Sequence, residues 1–196
     1  MPTLTLHTAD GHALAADTAD ATAPQRGVAI VCHPHPLYGG DRFNPVVQAL
    51  FDALPAVGFA TIRFDFRAAH DRGVAERLDV QAAIDEVVVD GLPVVVVGYS
   101  FGALVALSTR DPRISAVVAV APPLTPGAEG PGVAALVLSP THDQFCRADA
   151  AAPIVAGWPD ATAAAIESAD HFLAGRTHAV AERTVAWLTE RFPTAS

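Results

Sequence analysis

Five short runs, dominated by apolar and β-branched residues, constrain this chain more than any other feature: Val28–Cys32, Phe59–Phe64, Val94–Val97, Ile114–Ala121 and Val133–Leu138. A strand with one wet face alternates apolar and polar residues, so runs apolar on both faces must be covered on both. Ala163–Glu167 is a weaker sixth run. Between the runs lie helical spacings, at Asn44–Leu54, Ala75–Val89, the short all-apolar Phe101–Ser108 and Thr177–Arg191, with a further helix beginning near Asp149. Ahead of them, Leu4–Thr8 and His12–Asp17 flank Asp10-Gly11, a strong hairpin signal, and residues 21–25 read as a loop. The expected fold is α/β: a mostly parallel central sheet, an N-terminal antiparallel hairpin and helices on both faces. No linker, repeat or low-complexity tract divides residues 1–196, so one domain is expected.

Composition removes several chemistries. All twelve cationic residues are Arg, so Schiff-base, lysine-nucleophile and phosphate-loop lysine mechanisms are excluded. A net charge of −9 argues against a nucleic-acid partner or a polybasic membrane contact. Residues 1–26 carry Asp10, Asp17 and Asp20 with no continuous apolar block, which does not read as a secretory leader. The longest apolar stretch, Ile114–Leu124, is broken by prolines and is shorter than the ~18–20 residues a spanning helix needs. Cys32 and Cys146 form no disulfide framework, so the expected location is the cytoplasm.

In an open α/β sheet, ligands bind beyond the carboxyl ends of the strands, so the residues after each run carry the chemistry. After Val94–Val97 comes Gly98-Tyr99-Ser100-Phe101-Gly102, with a helix following at once. This is G-x-S-x-G in a strand–turn–helix setting. The sharp turn needs glycine at both flanking positions to avoid Cβ clashes, and it presents Ser100 as a nucleophile above the sheet. The helix N-terminus beneath favours developing negative charge.

A serine hydroxyl needs a base, and the base needs a partner to set its tautomer. Of eight histidines, His171 alone follows the last run and precedes the last helix, where a loop can hang above the nucleophile. The acid is expected after Val133–Leu138, where Asp143 stands in Ser139-Pro140-Thr141-His142-Asp143. Asp149 suits a helix start, and Asp170 adjoins His171 too closely in sequence to face its ring.

A tetrahedral intermediate also needs two N–H donors. One is expected from Phe101. The other is expected from the loop Cys32-His33-Pro34-His35-Pro36-Leu37-Tyr38-Gly39-Gly40. Its prolines lack an N–H, leaving His35, with Leu37 as the alternative. Tyr99, Leu37, Tyr38 and His70 flank these positions and are the candidate substrate contacts. A competing reading takes His33 and His35 as a metal pair, but no third ligand at a suitable spacing completes it, so neither metal nor other cofactor is expected. Cys146 near Asp143 reads as a bystander rather than a reactive thiol.

Together, His33–Gly40, Phe59–Arg67, Gly98–Ala103 and Ala169–Phe172 resemble the small α/β-hydrolases related to dienelactone hydrolases, over a stretch from about Val28 to the final helix. The resemblance implies the α/β-hydrolase fold, a Ser100–Asp143–His171 triad and esterase-like activity on a small acyl substrate. Dienelactone hydrolases themselves use a cysteine where this chain has Ser100. Two further departures are the short loop 68–73 and a single acidic residue, Asp143, where the family's turn often has two. Larger relatives insert a cap domain where this chain has only the Pro/Gly-rich segment 121–133, so an uncapped, open site is expected. Esterase, thioesterase and acyltransferase would share these residues. A non-catalytic binding relative is the alternative class; its discriminator is whether Ser100 is activated.

Overall fold

The computed structural model describes residues 3–68 and 71–194. Its eight strands are β1 (Thr3–His7), β2 (Ala13–Ala19), β3 (Gly27–Cys32), β4 (Phe59–Phe64), β5 (Val94–Tyr99), β6 (Ile114–Val120), β7 (Ala134–Pro140) and β8 (Ala161–Ile166). They form one sheet in the order β1-β2-β4-β3-β5-β6-β7-β8. β1 and β2 are an antiparallel hairpin and β2 runs antiparallel to β4; every other pairing is parallel. The five helices are α1 (Pro45–Ala53), α2 (Glu76–Val87), α3 (Phe101–Ser108), α4 (Ala148–Val155) and α5 (Thr177–Arg191).

The runs are apolar throughout because the sheet has a core on each side. Val28, Ile30 and Cys32 of β3 join Val80 and Ile84 of α2 and Val105 of α3 in one core. Their neighbours Ala29 and Val31 join Val46 and Leu50 of α1 and Val180 and Leu188 of α5 in the other. Period-2 alternation thus sends successive side chains to opposite cores. α3 is apolar all round because it is pressed between the sheet and α2, and Leu104 is its half-exposed position.

Several boundaries differ from the sequence pattern, among them the ends of β2 at Ala19 and β5 at Tyr99. β7 runs on to Pro140, because Ser139 and Pro140 still pair with Ala165 and Ile166. β8 starts at Ala161, two residues early; its alanine-rich edge has little propensity signal and is set by pairing with β7. α2 stops at Val87, because Val88 is already extended ahead of the turn at residues 89–92.

Charge ties the hairpin and α2 to the end of β4. Arg67 is 3% exposed and donates from its backbone N–H, Nε and Nη2 to Asp79 of α2, at 3.0, 2.9 and 2.7 Å. It also forks onto Asp10 in the hairpin turn, at 2.6 and 3.1 Å. Asp79→Ala leaves a buried guanidinium without its inner partner and is expected to cost roughly 3–5 kcal/mol. Asp10→Ala, on the exposed side, is expected to cost much less. Urea unfolding of both variants checks the ranking.

Candidate active site

The parallel part of the sheet starts at β3, with β4 added on one side and then β5 on the other. Loops leaving β3 and β5 therefore diverge and open a crevice above the strand ends. The loop after β3 carries His35; the turn after β5 carries Ser100.

Ser100 adopts φ 54° and ψ −112°, outside the region favoured by residues with a Cβ. Close packing imposes this. A Cβ on Gly98 would meet the Gly102 carbonyl oxygen at 2.2 Å, and one on Gly102 would meet the Cys32 carbonyl oxygen at 2.5 Å. Both glycines let α3 sit directly against the ends of β5 and β3. The Ser100 N–H donates to the Val120 carbonyl at 2.8 Å, clamping the turn to β6.

Ser100 Oγ lies 2.8 Å from His171 Nε2, and His171 Nδ1 lies 2.8 Å from Asp143 Oδ2. Burial alone would raise the Asp143 carboxyl. Hydrogen bonds from His171 and from the Phe145 and Cys146 N–H groups outweigh it and hold the carboxyl below its ordinary value. An ionised carboxylate only accepts, so Nδ1 bears the proton and Nε2 offers its lone pair to the serine hydroxyl.

Neighbouring strands bring Asp143 and His171 together. The turn after β7 and the loop after β8 are joined by Thr141 N–H to the Ile166 carbonyl (3.1 Å), His142 N–H to the Ala169 carbonyl (2.9 Å) and Ser168 N–H to Thr141 Oγ1 (3.0 Å). From beneath, the Tyr99 hydroxyl donates to the His171 carbonyl at 2.8 Å. Burial pushes the Tyr99 phenol up to about 12, so it keeps that proton at neutral pH.

A cleft of about 400 Å³ opens over Ser100 and His171. Of the four candidate substrate contacts, Tyr99 and Tyr38 line it. Leu37 does not: its side chain is exposed, and its N–H donates to His35 Nδ1 at 3.2 Å. His70 lies outside the described residues. The N–H groups of Tyr38, Gly39 and Gly40 also bond within the loop, so the backbone N–H groups of residues 37–40 are taken up there. His35 lines the cleft with its ring 4.7 Å from that of Phe101, and Tyr38, Gly39 and Gly40 line it too.

His33 has a structural part. Its Nε2 accepts the Phe66 N–H at 2.9 Å, so its proton sits on Nδ1 and goes to the Pro34 carbonyl at 2.6 Å. Desolvation lowers its pKa and keeps it neutral. With both ring nitrogens committed to backbone, it has no lone pair for a metal, and no cluster of three ligating side chains occurs among the described residues. Burial raises the Cys146 thiol, which is the wrong direction for a nucleophile.

Sequence reasoning missed Phe145 and Phe172, which line the cleft. The Phe145 ring stands edge-on to the His171 ring, with centroids 4.6 Å apart. Their signal was adjacency, two residues after the acid and one after the base.

No family model matches the chain. An uncharacterized protein of Rickettsia prowazekii (strain Madrid E) is 35% identical over 117 residues, covering 54% of this chain and 49% of that protein. The chain thus spans about half the length of that curated relative. Among solved structures, an α/β serine hydrolase homologue from Coxiella burnetii superposes with a TM-score of 0.83 at 25% identity, covering 95% of this chain and 97% of that one. An α/β serine hydrolase without a lid from Xanthomonas campestris gives 0.88 at 24% identity, covering 100% and 96%. An esterase from Pyrococcus furiosus gives 0.79 at 16% identity, over 97% and 92%, a likeness of fold.

Proposed function

We propose that this chain, which belongs to the α/β-hydrolase superfamily, hydrolyses a carboxylic ester or thioester by acyl transfer to Ser100. The observation that carries this reading is the unbroken line Ser100 Oγ–His171 Nε2–His171 Nδ1–Asp143 Oδ2, with both contacts at 2.8 Å, set at the floor of an apolar cleft. In this reading His171 takes the Ser100 proton as Oγ attacks the acyl carbon. Asp143 stabilises the imidazolium that forms. The N–H groups of Phe101 and His35 receive the oxyanion, Phe101 being the first residue of α3, where the helix dipole adds to the effect. His171 then protonates the leaving oxygen or sulfur. Water, deprotonated by His171, attacks the acyl-enzyme and releases the acid.

The segment 121–133 between β6 and β7 carries no helix or strand over the cleft, which supports an open site reached without lid movement. No helix among the described residues is long and apolar enough to cross a membrane. A reducing cytoplasm suits the buried, unbridged Cys32 and Cys146.

The direct test is a fluorophosphonate probe, with the labelled peptide identified by mass spectrometry. Labelling at Ser100, with turnover of 4-nitrophenyl butyrate, is expected. A folded protein that takes no label would shift the reading to a ligand-binding relative without catalysis.

A further inference from the structure

We infer that the acyl group taken by this site is uncharged, and that acyl chains bearing a carboxylate are rejected; the inference rests on the proposed hydrolysis and names its substrate class. The cleft wall is built from Pro34, Leu104, Pro123, Phe145 and Phe172, with Tyr38 at its rim. Three of its rings are largely open to solvent: Tyr38 at 89%, Phe145 at 62% and Phe172 at 67% exposed. An apolar chain or ring seated beside Ser100 would cover them, and their removal from water would favour binding.

A carboxylate in the same place would find no permanent cation among the described residues that line the cleft. The chain has no lysine, and none of its twelve arginines is among the described residues lining the cleft. Several are held elsewhere: Arg42 and Arg63 on Asp17, Arg67 on Asp10 and Asp79, and Arg113 on Asp111 and Asp85. Apart from Ser100 and His171, the polar side chains at the wall are Asn44, which caps α1, Tyr38 and His35, whose Nδ1 already accepts the Leu37 N–H. Behind His171 stands the Asp143 carboxylate, and the chain as a whole carries a net charge of −9. A second negative charge would lose water, gain no ion pair and be repelled.

The test compares 4-methylumbelliferyl pentanoate with 4-methylumbelliferyl hemisuccinate, which share a leaving group and differ at the end of the acyl chain. After subtraction of the uncatalysed rates, kcat/KM is expected to favour the pentanoate by about 100-fold, the penalty of leaving one charge unpaired in a partly desolvated site. Leu104→Arg, at a half-exposed position of α3 on the wall, is expected to narrow the ratio to roughly tenfold or less by supplying the counter-charge. Phe172→Arg is the second variant should the first fail to fold. Equal use of both esters by protein whose Ser100 takes the fluorophosphonate would overturn the substrate class and leave the hydrolase reading standing. An unchanged ratio in both folded variants would overturn charge as its cause. Protein that neither labels nor cleaves either ester would remove the hydrolase reading and this inference together.

Discussion

Ser100→Ala is expected to lower kcat for 4-nitrophenyl butyrate by roughly 10⁶-fold, to abolish fluorophosphonate labelling and to leave KM little changed. In the proposed reaction the hydroxyl oxygen bonds to carbon, so its loss removes an interaction made only on the way to the transition state. The substitution should not disturb the fold. Ser100 already carries a Cβ at φ 54°, and alanine is tolerated at φ 45° at position 121 in the same layer of the molecule. The clamp from residue 100 N–H to the Val120 carbonyl is a backbone bond and survives the change. Thermal unfolding of the variant should match wild type within about 0.5 kcal/mol. Loss of activity with a loss of fold would be a different result and would not support the assigned role.

Asp143→Asn is expected to reduce kcat by about 10⁴-fold. The amide can present an N–H where the carboxylate presents a lone pair, so His171 would turn its proton toward Ser100 and lose its acceptor role. With Ser100 already gone, adding Asp143→Asn should cost almost nothing more, because the three groups act as one unit. The same variant has a stability signature. The folded Asp143 carboxyl lies below its ordinary value, so its contribution is fully present above the unfolded value of about 3.9 and is lost as pH falls through the folded one. Asp143→Asn should therefore flatten the fall in melting temperature below about pH 4. An unchanged acid limb would mean that other carboxylates govern acid unfolding.

Local rules made much of the frame legible. Val94–Val97 cannot be a half-exposed strand, and Gly98 and Gly102 around Ser100 suit only a turn too tight for side chains; both follow from one stretch of chain. Asp10-Gly11 marked the hairpin, although the turn spans residues 8–12, closed by paired bonds between Thr8 and His12. The boundary of β8 was less legible. An alanine-rich edge strand has no packing pattern of its own, so its start is set by its partner.

The site separates the two kinds of information more sharply. Ser100, Asp143 and His171 could be named because each follows a recognisable strand, and order along the chain is a sequence property. The contacts around them could not be named that way. That His33 Nε2 would take the Phe66 N–H and that Phe145 would stand against His171 depend on loops from different strands meeting. The alternating strands and helices, the two-faced core and the tight turn at Ser100 were legible in the sequence alone, because they answer to spacing, propensity and local sterics. Which arginines are tied up away from the cleft and which rings line it were decided only by tertiary structure. Those properties belong to pairs of residues far apart in the chain, and nothing in either member of a pair encodes the other.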